Sequence, residues 1–214
     1  MAISDSTALR YTQRDPDVRL MLEVRDDSAA AFEELMLRYQ NRLVMVLTHL
    51  IGSYDLAEDL AQEVFLRVYR ARKRYVPSAK FSTWLFTIAN NVARNALRSK
   101  SRRREVNLVA TESGSAAANP LETMAQAASG LMPARQVARS EMQQMVREAL
   151  DVLNERQRMA VLLNKFEDMC YADVAEVMQL SPQAVKSLLA RARENIKEVI
   201  TPYLEEGQRP DVGR

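Results

Sequence analysis

The stretch FSTWLFTIANNVARNALRSKSRRR, residues 81–104, contains the single tryptophan of the chain, two adjacent asparagines and a run of basic residues. On a helix, the side chains that recur every three or four residues share one face. One such face carries amides and guanidinium groups, at Asn91, Asn95, Arg98 and Arg102. Another carries apolar residues, at Leu85, Ile88, Val92 and Ala96. The segment therefore predicts an amphipathic helix with a core face and a polar, basic face.

The polar face has the chemistry of a nucleic-acid surface. Amides donate to and accept from base edges, while arginine neutralises phosphate. The aromatic residues Phe81, Trp84 and Phe86 open the helix and would offer a wall for an unstacked base. The same features also have a plain structural explanation, because aromatic residues fit a core and a basic helix end favours the helix dipole. The segment alone leaves both interpretations open.

The composition indicates an all-α protein. The chain has 214 residues, of which 47% are hydrophobic, enough for one large core or two small ones. Glycine is scarce, with 5 residues, and good helix formers dominate. The net charge is only +2, so the positive charge is local, at residues 70–74 and 98–104. Local basic patches matter more than net charge for binding a polyanion.

Cysteine and histidine are nearly absent, which excludes several kinds of site. Cys170 and His49 are the only residues of their types, so the chain forms no internal disulfide and no Cys/His zinc site. We therefore expect no metal, no cofactor and a reducing, cytoplasmic setting. The N-terminus lacks the apolar segment of a signal peptide. No apolar run approaches the roughly 20 residues that span a bilayer, so we expect no membrane association.

The first half of the chain shows helical periodicity from Pro16 onward. Residues 1–15 are polar and predict a loose extension. Pro16 starts a short helix, and the residues around Ser28 start a longer one that ends at Gly52. Apolar residues follow at helical spacing in this longer helix: Phe32, Leu35, Met36, Tyr39, Leu43, Val46, Leu47 and Leu50.

A third helix begins near Asp55, which has the spacing of a capping box with Glu58. Residues 75–80 break the helical pattern and predict a loop before the basic-ended helix. Residues 106–138 are poor in charge and rich in Ala, Ser and Asn, with interspersed Gly and Pro, and predict a linker. Residues 205–214 predict a flexible tail.

A second helical block is predicted over residues 139–204. The range 154–157 has capping-box spacing at the start of its second helix, and residues 171–178 form a short third helix. Ser181 caps the fourth helix, with a proline at its first position, and Pro202 ends it.

The short helix, turn and longer helix at the end of this block have the helix-turn-helix pattern. The early residues of the second helix in this motif reach base edges in the major groove. The outward face here carries Gln183, Lys186, Ser187 and Ala190, with Arg191 and Arg193 beside it. Helical hairpins also occur in plain bundles, but the Ser-Pro start and the basic outer face together favour duplex DNA.

Three strings now match a family in order and spacing. YDLAEDLAQEVFLRVYRA (54–71) resembles region 2.2 of sigma factors, FSTWLFTIANNVARNALR (81–98) resembles regions 2.3 and 2.4, and residues 153–196 resemble region 4. The chain resembles a group 4, extracytoplasmic-function (ECF) sigma factor of bacterial RNA polymerase over residues 17–204. The resemblance implies an all-α fold of two small helical domains joined by a flexible linker. Region 2 would span residues 16–105 and region 4 residues 139–204.

The resemblance also implies roles for particular residues. The surface that docks on core polymerase would comprise Asp55, Glu58, Asp59, Gln62, Glu63 and Arg67. The −10 element would be bound by Lys80, Ser82, Thr83, Trp84, Asn91, Arg94, Asn95 and Arg98. The −35 element would be bound by Gln183, Lys186, Ser187 and Arg191.

The implied function is a transcription initiation factor with no catalytic activity of its own. Its partners would be core RNA polymerase, through the β′ clamp helices and the β flap, and promoter DNA. An anti-sigma factor is a further possible partner. The alternative is a helix-turn-helix regulator that binds duplex DNA as a dimer without docking on polymerase. A small helical enzyme is disfavoured, because the chain has one His, one Cys and no convergent carboxylates.

Overall fold

The computed structural model describes residues 5–107 and 133–206, with side chains over residues 7–102 and 142–201. In these ranges the secondary structure is helical, without a strand, which confirms the all-α class. The helices of the first range are α1 (Asp5–Arg14), α2 (Pro16–Arg25), α3 (Ala29–Ile51), α4 (Tyr54–Ala71) and α5 (Phe81–Asn107). Those of the second range are α6 (Pro133–Asp151), α7 (Glu155–Val161), α8 (Tyr171–Met178) and α9 (Pro182–Glu206).

The chain divides into two compact units, one formed mainly by α1–α5 and the other mainly by α6–α9. In the first unit α3 packs against α2, α4 and α5. Its fully buried side chains come from all four helices and include Val18, Met21, Leu35, Leu43, Leu47, Val64, Phe81, Leu85 and Phe86. Each such side chain contributes about 1.5–3 kcal/mol when it leaves water. The apolar spacing in the sequence correctly predicts that Leu35, Leu43, Leu47 and Leu85 belong to this core.

Short polar residues and one glycine set the ends of α3 and the start of α4. The Ser28 hydroxyl accepts a hydrogen bond from the Ala31 N–H at 3.3 Å, and Gly52 ends α3 in the left-handed region with φ of 75°. Ser53 caps α4 by accepting from the Leu56 N–H at 3.5 Å. The predicted capping box at Asp55 is therefore wrong. Asp55 is the second residue of α4, where its carboxylate complements the helix dipole.

The N-terminal extension contains regular structure that the sequence did not predict. Residues 5–14 form α1, which packs against α2. At its C-terminal end, the Asp15 N–H donates a hydrogen bond to the Tyr11 carbonyl at 2.9 Å. An isolated helix of ten residues is marginal in water. The partly buried Tyr11 and Thr12 show that contact with the rest of the unit supports α1. Local sequence pattern does not reveal such support.

The second unit has its own core and its own caps. Buried residues from α6 to α9 include Leu150, Leu153, Met159, Leu162, Leu163, Val174, Val185 and Leu189. The predicted capping box is confirmed: the Gln157 N–H donates to Asn154 Oδ1 at 2.9 Å, and the Asn154 N–H donates to Gln157 Oε1 at 3.1 Å. The Arg158 guanidinium donates to the carbonyls of Leu150 and Leu153, at 2.9 and 3.2 Å. These bonds tie the end of α6 to α7.

Three predicted boundaries differ from the structure. The linker expected over residues 106–138 is helical at both ends, because α5 runs to Asn107 and α6 begins at Pro133. Its middle, residues 108–132, lies outside the described residues, as do residues 1–4 and 207–214. Helix α9 continues through Pro202 to Glu206, although proline removes one backbone hydrogen bond of a helix.

Candidate functional site

The exposed face of α5 carries the amides and guanidinium groups that the sequence placed together. Asn91, Arg94, Asn95 and Arg98 are all exposed, and so is Arg102 one turn further on. Of the four residues predicted for the core face, Leu85 and Val92 are buried, whereas Ile88 and Ala96 are half-buried. The predicted division of this helix into a core face and a polar face is therefore confirmed. The surface offers three cations and two amides, and residues 81–104 contain no acidic side chain.

The start of α5 brings the other predicted −10 residues together, at different depths. Lys80 is exposed, Ser82 and Trp84 are half-buried, and Thr83 is fully buried. Within the described part of the chain, the Thr83 hydroxyl has no hydrogen-bond partner. Since its side chain does not reach the surface, Thr83 supports the site from beneath, whereas Lys80 and Ser82 border solvent.

The aromatic cluster at this helix start is mostly core. Phe81 and Phe86 are buried, so they do not form the exposed wall suggested by the sequence. The Phe81 ring meets Tyr39 edge-on, with centroids 5.2 Å apart. The Trp84 ring packs against Tyr75 and Phe81, with ring centroids 4.8 Å and 6.0 Å apart, respectively. Trp84 therefore presents a partly exposed ring that its buried neighbours hold in place.

Asp15 positions this helix start, and sequence reasoning missed it. Its carboxylate accepts from the Asp17 N–H and from the Phe81 N–H, each at 2.9 Å. One side chain therefore caps both α2 and α5. The local signal was present, because an aspartate directly before a proline is a typical N-cap. The partner 66 residues away was not predictable from local pattern.

The loop before α5 rests on a buried tyrosine. Tyr75 is 3% exposed, and burial raises the pKa of its hydroxyl above the ordinary value, with the Asp15 carboxylate acting in the same direction. Tyr75 therefore stays neutral and provides the apolar support for Trp84. Just before it, Arg72 and Lys73 donate to the Asp27 carboxylate at 3.2 and 2.5 Å, which ties this segment to the end of α2.

The predicted polymerase-docking residues share one surface of α4. Asp55, Glu58, Asp59, Gln62 and Arg67 are exposed, and Glu63 is half-buried. The Arg67 Nε lies 2.7 Å from Glu63 Oε1, and a hydrogen bond to Glu58 raises the pKa of Tyr54. Leu56 and Leu66 are also exposed on this helix, at 38% and 50%. The surface is therefore acidic with apolar residues among the charges, unlike a uniformly charged solvated face.

Helices α8 and α9 form the predicted helix-turn-helix. In the turn, Gln179 has a positive φ of 55° and the Leu180 N–H donates to the Ala175 carbonyl at 2.9 Å. The Ser181 hydroxyl caps α9 by accepting from the Ala184 N–H at 3.2 Å, as predicted. The candidate −35 residues are all exposed near the start of α9: Gln183, Lys186, Ser187 and Arg191. The Ser187 hydroxyl donates to the Gln183 carbonyl at 3.1 Å, which leaves its lone pairs accessible.

The comparisons with known proteins agree with both units. Residues 35–103 match the family Sigma-70 region 2, and residues 143–196 match Sigma-70, region 4. The two matches lie in the first and second units and together cover more than half of the chain. The chain belongs to the ECF group of the sigma-70 family. As an ECF sigma factor it is a transcription initiation factor that binds RNA polymerase and directs it to promoters.

Relatives align with this sigma factor along almost their entire length. The RNA polymerase sigma-H factor of Pseudomonas aeruginosa is 32% identical over 198 residues, which cover 90% of this chain and 98% of that protein. The ECF RNA polymerase sigma-E factor of Haemophilus influenzae is 30% identical, with 88% and 97% of the two chains covered. The presence of region 2 as well as region 4 disfavours a regulator that binds DNA by a helix-turn-helix alone.

Two solved structures share the fold. CnrH, in complex with the cytosolic domain of CnrY, is 21% identical with a TM-score of 0.63, covering 87% of this chain and 98% of that one. The sigma factor RpoE of Bartonella quintana, in complex with the anti-sigma factor NepR, is 24% identical with a TM-score of 0.62, covering 79% and 96%. At these identities the likeness concerns the fold alone.

The described residues contain no group of three or more His, Cys, Asp and Glu side chains arranged to hold a metal ion. No helix among them is both long enough and apolar enough to cross a membrane.

Proposed function

We propose that this sigma factor divides promoter recognition between its two units while α4 holds it on core polymerase. In this proposal α9 binds the −35 element as duplex, and the exposed face of α5 binds an unstacked −10 strand. The observation that carries the proposal is the coexistence of two differently built polar surfaces, one on α5 and one on α9, in a single chain of the sigma-70 family.

The −35 assignment is supported by the geometry of α9. Lys186 lies in the second turn, where a recognition helix enters the major groove, and its ammonium would contact a phosphate or a base edge. Gln183 and Ser187 carry groups that can contact base edges, and Arg191 follows one turn later. Val185 and Leu189 on the other side of α9 are buried in the core of the second unit, so the face with Gln183, Lys186 and Ser187 is directed to solvent.

The −10 assignment is supported by the arrangement around Asn91. Its amide can pair with a base edge, while Arg94 and Arg98 on the same exposed surface would follow the phosphates of the strand. Lys80 and Ser82 would border the base from the preceding helix start, with Trp84 beside them. Flipping a base costs a few kcal/mol of unstacking, which these contacts would offset.

The docking assignment concerns α4. Its exposed acids and leucines would meet the β′ clamp helices, and the second unit would contact the β flap. Acidic residues with apolar residues between them suit a basic, partly apolar protein surface. The factor would work in the cytoplasm, where polymerase works, and would have no catalytic activity of its own.

Regulation by an anti-sigma factor belongs to the same proposal. CnrH and RpoE, which share the fold, were each solved with a bound partner, CnrY and NepR respectively. We propose that a comparable protein covers the docking surface of this chain and keeps it from polymerase.

In vitro transcription from a randomised promoter library tests the proposed function. Core polymerase with this chain should enrich promoters that share two separated elements, whereas core alone should enrich none. A helix-turn-helix regulator would instead bind palindromic sites tightly without polymerase. Tight palindromic binding with no promoter-specific transcript would overturn the proposal.

A further inference from the structure

A cleft of about 530 Å³ lies where α1, α2, α3 and the start of α5 meet. Arg10 and Arg14 enter its lining from α1, and Lys80 and Ser82 enter it from the start of α5. Residues four apart on a helix share a face, so both arginines are directed to the same side of α1. The cleft therefore joins the N-terminal helix to two residues of the proposed −10 surface.

The two carboxylates in this cleft are already engaged within the protein. Asp15 accepts the two helix-capping hydrogen bonds described above. Asp17 accepts from the Arg38 guanidinium and from the Tyr39 hydroxyl, the latter at 2.5 Å. Burial raises the pKa of Tyr39, and the bond to Asp17 acts in the same direction, so the hydroxyl keeps its proton. Within the described residues, neither carboxylate forms an ion pair with an arginine of α1.

The arginines of α1 retain their positive charge for an external partner. Arg10 lies over the Tyr11 ring, 5.1 Å from its centroid, which does not neutralise it. Within the described residues, neither Arg10 nor Arg14 pairs with a carboxylate, and both are exposed. The cleft thus favours an anion with several acceptor oxygens.

We propose that Arg10 and Arg14 bind backbone phosphates of the promoter strand that Lys80 and Ser82 contact, so that α1 extends the −10 interface. This inference rests on the proposed function of α5. A guanidinium group presents two parallel N–H donors to a phosphate, which makes it a strong and oriented contact. The strand leaving the α5 surface at Lys80 would enter the cleft directly.

The test measures promoter affinity of the complete holoenzyme against KCl concentration. Each phosphate contact contributes about 0.7–0.9 to the slope of log affinity against log salt, so Arg10→Gln with Arg14→Gln should lower the slope by about 1.4–1.8. Affinity at low salt should fall by roughly tenfold or more. Arg10→Lys with Arg14→Lys keeps the charge and should retain most of the slope.

The matched control is Arg19→Gln with Lys197→Gln, which removes the same charge from exposed positions outside the cleft. This control should leave the slope close to the wild-type value. Neutral methylphosphonates would then replace the phosphates of the −10 strands one at a time. At a phosphate that Arg10 or Arg14 contacts, the replacement should weaken binding by the wild-type holoenzyme but should cause no further loss of affinity in the Arg10/Arg14 variant. Such non-additivity would locate the contacted phosphates.

Two results would overturn the inference while the proposed function stands. The first is a wild-type salt slope for the Arg10/Arg14 variant on a promoter that the wild-type holoenzyme transcribes. The second concerns inorganic phosphate, which would raise the melting temperature of the wild-type chain but not that of the variant. If the variant also kept the wild-type salt slope for promoter binding, the cleft would bind a free anion and not DNA. A wild-type chain that forms no promoter-specific holoenzyme would overturn both.

Discussion

The Asp15 side chain accepts hydrogen bonds at the starts of two helices that are distant in sequence. It caps α2, and its carboxylate also accepts a hydrogen bond from the first N–H of α5 at 2.9 Å. The start of α5 carries Lys80, Ser82 and Trp84, so Asp15 positions residues proposed to bind DNA.

Replacing Asp15 with alanine should leave two N–H groups without their acceptor. We expect the first unit to lose about 1–3 kcal/mol of unfolding free energy, in the range of a lost helix cap or an unsatisfied donor. Urea denaturation measures the loss. Asp26→Ala is the control, because the Asp26 side chain is 76% exposed and pairs only with Arg25 among the described residues. Equal stability of the two variants would show that the double cap is not structurally important.

Asn91→Ala should impair promoter melting more than initial promoter binding. The amide is exposed and is proposed to hold a flipped base, so its loss removes contacts that offset unstacking. We expect a slower formation of permanganate-sensitive open complex, and recovery on a promoter whose −10 region is already unpaired. Asn41→Ala, at an exposed asparagine of α3, serves as the control. The assignment fails if the defect is equal on duplex and pre-melted promoters.

At this scale the sequence predicts which side chains are polar and share a face, but not how deep each one lies. The spacing of Asn91, Asn95 and Arg98 was enough to place them together on α5. Thr83 looks equally suited to a binding surface, yet it is buried. Phe81 likewise suits an aromatic wall but packs on Tyr39. Burial depends on residues distant in sequence, so local spacing cannot supply it.

At the scale of elements, α9 offers a direct test of the −35 surface. Lys186→Ala should weaken dependence on the −35 element and reduce the salt slope of holoenzyme binding by about 0.9, the contribution of one phosphate contact. Footprinting of the upstream element across a KCl series measures both effects. Lys197→Ala, further along the exposed side of α9, should change neither. An unchanged upstream footprint for Lys186→Ala would remove this assignment.

Several helix limits set by a local cap or breaker were predictable. Gly52 at the end of α3, Ser181 before α9 and the capping box at Asn154 were all predicted and observed. Three other limits were predicted wrongly. Ser53, not Asp55, caps α4, and contact with the rest of the first unit supports α1. Helix α9 continues through Pro202 despite the lost hydrogen bond.

At the scale of the whole molecule, periodic apolar spacing interrupted by an aperiodic segment predicted two helical units, and the structure confirms them. The three quoted strings were sufficient to predict the family, because they carry specific residues in a fixed order. The polymerase-docking surface was less predictable from physics alone. Exposed acids such as Asp55 and Asp59 occur on many solvated helices, and exposed leucines lie on α3 as well as on α4.

The most direct test of the account is the affinity of the full chain for core RNA polymerase, measured by analytical ultracentrifugation. We predict a stable one-to-one complex that Asp55→Lys with Asp59→Lys weakens at least tenfold, because these exposed acids lie one turn apart on the proposed docking face. Glu23→Lys with Glu33→Lys, at exposed positions on α2 and α3, should leave the affinity unchanged. Failure of the wild-type chain to bind core polymerase, or equal binding by both reversal variants, would contradict the account.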